Sequence, residues 1–134
     1  MTRFVIGPDA ALHLARGGAA IADDHQLVAP TLFRSQVLSL LYQSVRRGEV
    51  TQADADRQLD YLRGLRIRLL GDRVLQRTAW RLAEQLGWED TLDAEYVALT
   101  QLQADAFVTL DAGLAVAVQE LVTLAEPQAL LALE

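Results

Sequence analysis

The chain contains no cysteine and no lysine, and its 134 residues include only two histidines, His13 and His25. The absence of cysteine excludes disulfides, thiolate metal sites and a cysteine nucleophile. The histidines lie twelve residues apart, a spacing that matches no common zinc site. No run of about 18 apolar residues is present, so we expect no membrane span. No signal-peptide pattern opens the sequence, and we therefore expect a cytoplasmic protein.

Charge is unevenly distributed along the chain, although the net value is only −6. All twelve basic residues are arginines between Arg3 and Arg81, where eight acids leave a net charge of +4. From Leu82 to Glu134 there are ten acids and no base, a net charge of −10. The overall acidity argues against a general nucleic-acid coat protein. The uneven distribution indicates either a basic surface opposite an acidic pocket or simply solvated helix faces.

Apolar runs of strand length alternate with helical patterns along the whole chain, and 51% of the residues are hydrophobic. This composition argues against intrinsic disorder, and the length suits a single domain, which we expect to span residues 1–134. The pattern predicts strands at 3–6, 27–30, 65–70, 106–110 and 121–124. It predicts helices at 10–15, 31–48, 51–63, 72–87 and 91–102, with short helical turns after 111 and 127. Such alternation predicts an α/β fold with a mainly parallel central sheet.

The most arginine-rich segment includes the helix predicted at 72–87. The arginines of this segment are Arg66, Arg68, Arg73, Arg77 and Arg81. They are interpreted either as contacts to an RNA backbone or as partners of nearby acids. Val74 is predicted to lie on the inner side of this helix. Trp80 and Trp88 are predicted to pack in the core, with stacking on a nucleic-acid base as the alternative.

Three acids are placed where a parallel sheet usually forms its site, at the carboxyl ends of strands. Asp9 follows the first predicted strand, Asp111 follows the strand at 106–110, and Asp93 lies in the first turn of the helix that begins after Thr91. Gathered carboxylates repel one another unless a cation neutralises them. Oxygen ligands of this kind favour Mg²⁺ or Mn²⁺. Taken singly, each acid also suits a helix N-terminus, which is the alternative interpretation.

Two stretches resemble the C-terminal half of VapC-type PIN domains: TLDAEYVAL at residues 91–99 and FVTLD at residues 107–111. The helix from Thr31 to Glu49, with Arg-Arg-Gly near its end, is similar to the second helix of that family. The resemblance covers nearly the whole chain in order and length. It implies a PIN-like α/β/α sandwich with a mainly parallel sheet, in which Asp93 and Asp111 match the third and fourth acidic positions.

The sequence departs from the family pattern at the first two acidic positions. Gly7 stands where the first acid is expected, and Asp9 lies two residues later, where the family usually carries Ser or Thr. Gln36 stands for the helical glutamate, and Ser39 for the asparagine three residues after it. Shifting the alignment so that Asp9 becomes the first acid misplaces His13. Because two of the four acidic positions carry no acid, we expect any Mg²⁺ or Mn²⁺ to bind weakly.

Two interpretations of Asp9 remain open at this point. Asp9 either restores the missing third charge by reaching into the site from its loop, or it only caps its helix and the site has lost its metal.

The resemblance implies an enzyme, and the substitutions suggest an alternative. In the first hypothesis the chain is a VapC-like endoribonuclease with weakened activity, in which Asp9, Asp93 and Asp111 hold the ion and Gln36 positions water. The family resemblance implies a cognate antitoxin-like partner, an RNA substrate and a homodimer formed through the helices between Thr31 and Arg63. In the second hypothesis the chain is a catalytically inactive PIN-like binding module that keeps its dimer and partner contacts.

Overall fold

Strands and helices alternate in the computed structural model of the chain, which describes residues 1–132. The elements of this part are, in order, β1 (Thr2–Ile6), α1 (Pro8–Gly17), β2 (His25–Pro30), α2 (Phe33–Arg46), α3 (Gln52–Gly64), β3 (Ile67–Leu70), α4 (Arg73–Leu86), α5 (Leu92–Gln103), β4 (Ala106–Val108), α6 (Ala112–Val118) and β5 (Leu124–Ala125), followed by a 3₁₀ turn at Pro127–Leu130. Within residues 1–132, no helix is both long and apolar enough to cross a membrane.

The five strands form one sheet in the order β3-β2-β1-β4-β5, and every neighbouring pair is parallel. β1 lies at the centre, where Val5 is paired with Val28 on one side and with Phe107 on the other. The predicted α/β fold with a mainly parallel sheet is therefore confirmed. At least one helix connects each strand to the next along the chain, because parallel strands need a long crossover connection.

Consecutive residues of the two central strands are buried, which shows that helices cover both faces of the sheet. Phe4, Val5 and Ile6 in β1 and the whole of β4 are shielded from solvent. α1, α2 and α3 pack together, whereas α5 contacts β1, β2 and β4 and also packs against α4. This arrangement is the α/β/α sandwich that the family resemblance implied.

Three helices begin at the capping residues expected from the sequence, whereas the cap expected at Asp9 is not observed. Thr51, Asp72 and Asp111 accept hydrogen bonds from backbone N–H groups three residues ahead, at 3.1, 2.8 and 3.0 Å. Asp9, in contrast, is not a helix cap, because α1 begins one residue earlier and Gly7 holds the N-cap position. The interpretation of Asp9 as a cap is therefore wrong, since Pro8 at the first helical position starts the helix before it.

The packing of α4 contradicts two predictions. Val74 and Trp80 were expected inside the protein, but they are 58% and 65% exposed. The buried stripe of this helix consists of Leu75, Ala79, Leu82 and Ala83. A helix turns by about 100° per residue, so positions 74 and 80 fall outside this stripe. Trp88, beyond the helix end, does pack against the core.

The strand ends also differ slightly from expectation. β4 ends at Val108 rather than at residue 110, and β5 forms at Leu124–Ala125 rather than at 121–124. Residues after Val108 leave the sheet because Asp111 starts α6 there.

We predict that Leu99→Ala lowers the free energy of unfolding by about 2–5 kcal/mol, because Leu99 is buried in α5 beneath the sheet and its removal leaves a cavity. Leu102→Ala is the matched control, since Leu102 lies on the same helix but is 44% exposed. Urea denaturation of both variants measures the difference. Equal losses of stability would contradict the burial of α5.

Candidate active site at the carboxyl ends of β1 and β4

The parallel pairing of β1 with β4 brings two loops of distant sequence into contact. Ile6 is paired with Val108, and the N–H of Gly7 donates a 2.9 Å hydrogen bond to the carbonyl of Val108. The residues that follow the two strands therefore leave the sheet side by side. Asp9 follows β1, and Asp111 follows β4.

Asp9 joins the two loops through its carboxylate. One oxygen, Oδ2, accepts hydrogen bonds from the hydroxyl of Thr109 and the N–H of Leu110, both at 3.1 Å. The other, Oδ1, accepts from the N–H of Ala10 at 2.7 Å. Three donors hold this carboxylate at the junction between α1 and the end of β4. Asp9 thus contacts the loop that leads to Asp111, and whether it restores the third charge of a metal site stays a prediction.

The glycine at the first acidic position leaves space for this arrangement. A Cβ atom at Gly7 would lie 2.9 Å from Oδ1 of Asp9 and 3.2 Å from the carbonyl oxygen of Val108. Both distances are too short for ordinary packing. The Asp9 carboxylate therefore occupies space that a side chain at position 7 would need, and the two departures from the family pattern are structurally linked.

Asp93 lies in the first turn of α5, close enough to the other acids to sense their charges. Burial raises the pKa of its carboxyl above the usual value, and the negative charges of Asp111, Asp90 and Asp9 raise it further. Within residues 1–132, no ion pair involves Asp9, Asp93 or Asp111. The site is therefore a cluster of acids whose mutual repulsion no basic side chain of the described part relieves.

Gln36 on α2 is connected to the same site through Tyr96 on α5. The Tyr96 hydroxyl donates a 2.6 Å hydrogen bond to Oε1 of Gln36. The ring of Tyr96 is buried and stacks on Phe107 of β4 with centroids 6.1 Å apart. Burial, followed by the charges of Glu95, Asp93 and Asp9, raises the pKa of this hydroxyl, so that it stays protonated and remains a donor.

The structure thus gathers all four of the predicted site residues on one end of the sheet. Asp9 and Asp111 share the β1–β4 junction, Asp93 interacts with both through charge, and Gln36 is reached through Tyr96. The acids do not form a preassembled metal cage, since no three His, Cys, Asp or Glu side chains of residues 1–132 lie close enough together to hold an ion. Asp9 already accepts three hydrogen bonds, from Ala10, Thr109 and Leu110.

Two residues of the site were missed in the sequence. Thr109 holds Asp9 and also accepts a hydrogen bond from the N–H of Asp111 at 3.2 Å. No local signal pointed to this contact, because Thr109 lies 100 residues from Asp9. Tyr96 had a signal, since it follows Asp93 by three residues and therefore shares its side of the helix.

Comparisons with known proteins bear on the fold. No family model and no curated protein matches the chain. The solved structure of PAE2754 from Pyrobaculum aerophilum is similar with a TM-score of 0.74 and 21% identity, covering 96% of this chain and 91% of that chain. A chain of VapBC2 from Rickettsia felis, solved bound to a DNA fragment from their promoter, is similar with a TM-score of 0.66 and 10% identity, covering 92% and 98%. The PIN-like, VapC-like fold implied by the sequence resemblance is thereby confirmed.

We predict that Asp93→Asn raises the stability of the protein at neutral pH. The folded protein holds the Asp93 proton more tightly than the unfolded chain does, so ionisation of Asp93 destabilises the fold. This penalty is complete above the raised folded pKa. It disappears as the pH falls below the unfolded value of about 4.

Denaturant midpoints of wild type and Asp93→Asn, measured from pH 7 downwards in chelator, test this expectation. The stability advantage of the variant should shrink as the pH falls. A variant that is less stable than wild type at pH 7 would contradict the repulsive cluster.

Proposed function

We propose that the chain is a VapC-like, Mg²⁺- or Mn²⁺-dependent endoribonuclease, the toxin component of a toxin–antitoxin pair, with an activity weakened by the loss of two acidic ligands. The observation that carries the proposal is the cluster of Asp9, Asp93 and Asp111 at the carboxyl ends of β1 and β4, without a basic partner in residues 1–132. A divalent cation is the natural counter-charge for such a cluster.

The residues fit a weakly held cation. Asp93 and Asp111 would be its direct ligands, Asp111 through Oδ2, because its Oδ1 accepts a hydrogen bond from the N–H of Leu114. Asp9 would add a third negative charge at the edge of the shell, where its own hydrogen bonds keep it in place. When bound, the ion would activate water and stabilise charge on a scissile phosphate.

The chain's own residues supply positioning and proton control. The Tyr96 hydroxyl holds Oε1 of Gln36, which leaves the amide N–H groups of Gln36 as donors towards water or a phosphate oxygen. The high pKa of Tyr96 keeps this orientation at neutral pH. The raised pKa of Asp93 makes this carboxylate a better proton acceptor than an ordinary aspartate when no cation is present.

A partner of the antitoxin type and a homodimer form part of the same proposal. Apolar side chains are exposed on α2 at Leu38, Leu40 and Tyr42, and around the site at Leu92 and Leu110. Exposed apolar groups next to an acidic site suit a protein segment that contributes both apolar and basic side chains.

A second function is favoured by a specific observation. The three hydrogen bonds on Asp9, the one on Asp111 and the neutral Gln36 weaken the ligand set, and residues 1–132 contain no preassembled group of three metal ligands. A catalytically inactive PIN-like module that binds its partner through the same groove would have these features.

An RNase assay with added Mn²⁺ on chelator-treated protein separates the two functions. We predict that Asp93→Asn lowers cleavage by more than about 100-fold, because even outer-shell partners of a metal are typically worth 10–100-fold. Glu120→Gln is the control, since it removes an exposed acid outside the site. Wild-type cleavage no faster than that of Asp93→Asn would exclude the enzyme and leave the binding module.

We further predict that Gln36→Glu tightens Mn²⁺ binding, because it restores an acid at the helical position while the Tyr96 hydroxyl can still donate to it. The same substitution should lower the stability of the metal-free protein, since it adds a charge to a repulsive cluster. Calorimetric titration and thermal melts in chelator measure the two effects. Unchanged Mn²⁺ affinity would mean that position 36 does not face the ion.

A further inference from the structure

The outer face of α4 combines exposed arginines with an exposed tryptophan. Arg73, Arg77 and Arg81 recur every four residues and are all exposed, and Trp80 lies among them with 65% of its surface in solvent. With Gln76 and Glu84 they line a shallow surface depression of about 420 Å³. This set, called the α4 face below, lies opposite the buried stripe of the helix.

Three arginines of residues 1–132 form ion pairs with acids, and the arginines of the α4 face are among those that do not. Arg47, Arg57 and Arg63 pair with Glu49, Asp54 and Asp60 respectively. Within residues 1–132, no ion pair involves Arg73, Arg77 or Arg81. With three arginines and one glutamate, the face is positive in a protein whose net charge is −6. The alternative that these arginines are neutralised by nearby acids is not supported.

We propose that the α4 face binds single-stranded RNA and delivers it to the acidic site, an inference that rests on the proposed endoribonuclease function. The arginines lie about 6 Å apart along the helix, a row that can neutralise consecutive phosphates. An exposed indole stacks on an unpaired base, whereas the bases of a duplex are hidden from it. This combination of aromatic and basic groups selects a single strand.

The position of the α4 face suits this role. Trp80 lies six residues, about 9 Å of helix, before the end of α4. Residues 87–91 then lead directly to α5, whose second residue is Asp93. The acidic cluster repels phosphates by itself, so a basic surface close by supplies the attraction that substrate binding needs.

The experiment uses the two tryptophans of the chain, Trp80 and Trp88. Trp88→Phe leaves Trp80 as the fluorophore, and its emission is followed while an unstructured uridine oligonucleotide of roughly 10 nucleotides is added in chelator. We predict saturable quenching. In anisotropy titrations with the labelled oligonucleotide, Trp80→Ala should bind roughly 5- to 150-fold more weakly, as expected for loss of one base stack.

Salt dependence tests the arginines separately. The double variant Arg77→Gln/Arg81→Gln should flatten the slope of log affinity against log salt by about 1.4, which is about 0.7 for each phosphate that is no longer neutralised. Arg16→Gln is the matched control, because Arg16 is also exposed near a helix end but lies on α1. All substituted side chains of the α4 face are exposed, so the melting temperatures should stay at the wild-type value.

The outcomes separate this inference from the proposed function, because binding is measured without metal. RNA affinity that is unchanged in Trp80→Ala and in the double arginine variant overturns the inference, even in a protein that cleaves RNA. Binding through Trp80 without Mn²⁺-dependent cleavage supports the inference and overturns only the nuclease. If the arginine variant instead dissociates a dimer in sedimentation while RNA affinity is unchanged, the face is a contact between copies and the inference is overturned.

Discussion

The parallel pairing of β1 with β4 is the constraint on which the candidate site depends. It aligns Ile6 with Val108, so the loops after both strands emerge together although about 100 residues separate them. The Asp9 carboxylate then bridges the loops by accepting from Thr109 and Leu110. These hydrogen bonds join the two loops and hold Asp9 near Asp93, whose pKa it helps to raise.

The substitutions at the first two acidic positions form a connected arrangement in the structure. Gly7 lacks the side chain that would collide with Asp9, so the displaced acid takes the neighbouring space. Gln36 keeps the hydrogen bond with Tyr96 but contributes no charge. The remaining acids still repel one another, since the charges of Asp111 and Asp9 help to raise the pKa of Asp93.

The uneven distribution of charge along the sequence corresponds to two charged surfaces in the fold. The acids of the C-terminal part supply Asp93 and Asp111 at the sheet edge, whereas arginines of the preceding part form the outer face of α4. α4 packs against α5, so the α4 face and Asp93 lie on neighbouring helices.

The sequence alone determined the order of elements, the parallel sheet, three helix caps and the identity of the acids, since these follow from periodicity, turn residues and strand ends. The fold also decided what periodicity cannot specify. Val74 and Trp80 lie outside the buried stripe of α4, because the neighbouring α5 selects which side of a mixed helix is covered. The role of Asp9 depends on Thr109, and that of Gln36 on Tyr96, at separations of 100 and 60 residues. Contacts of this range leave no local pattern, because chain folding alone brings the partners together.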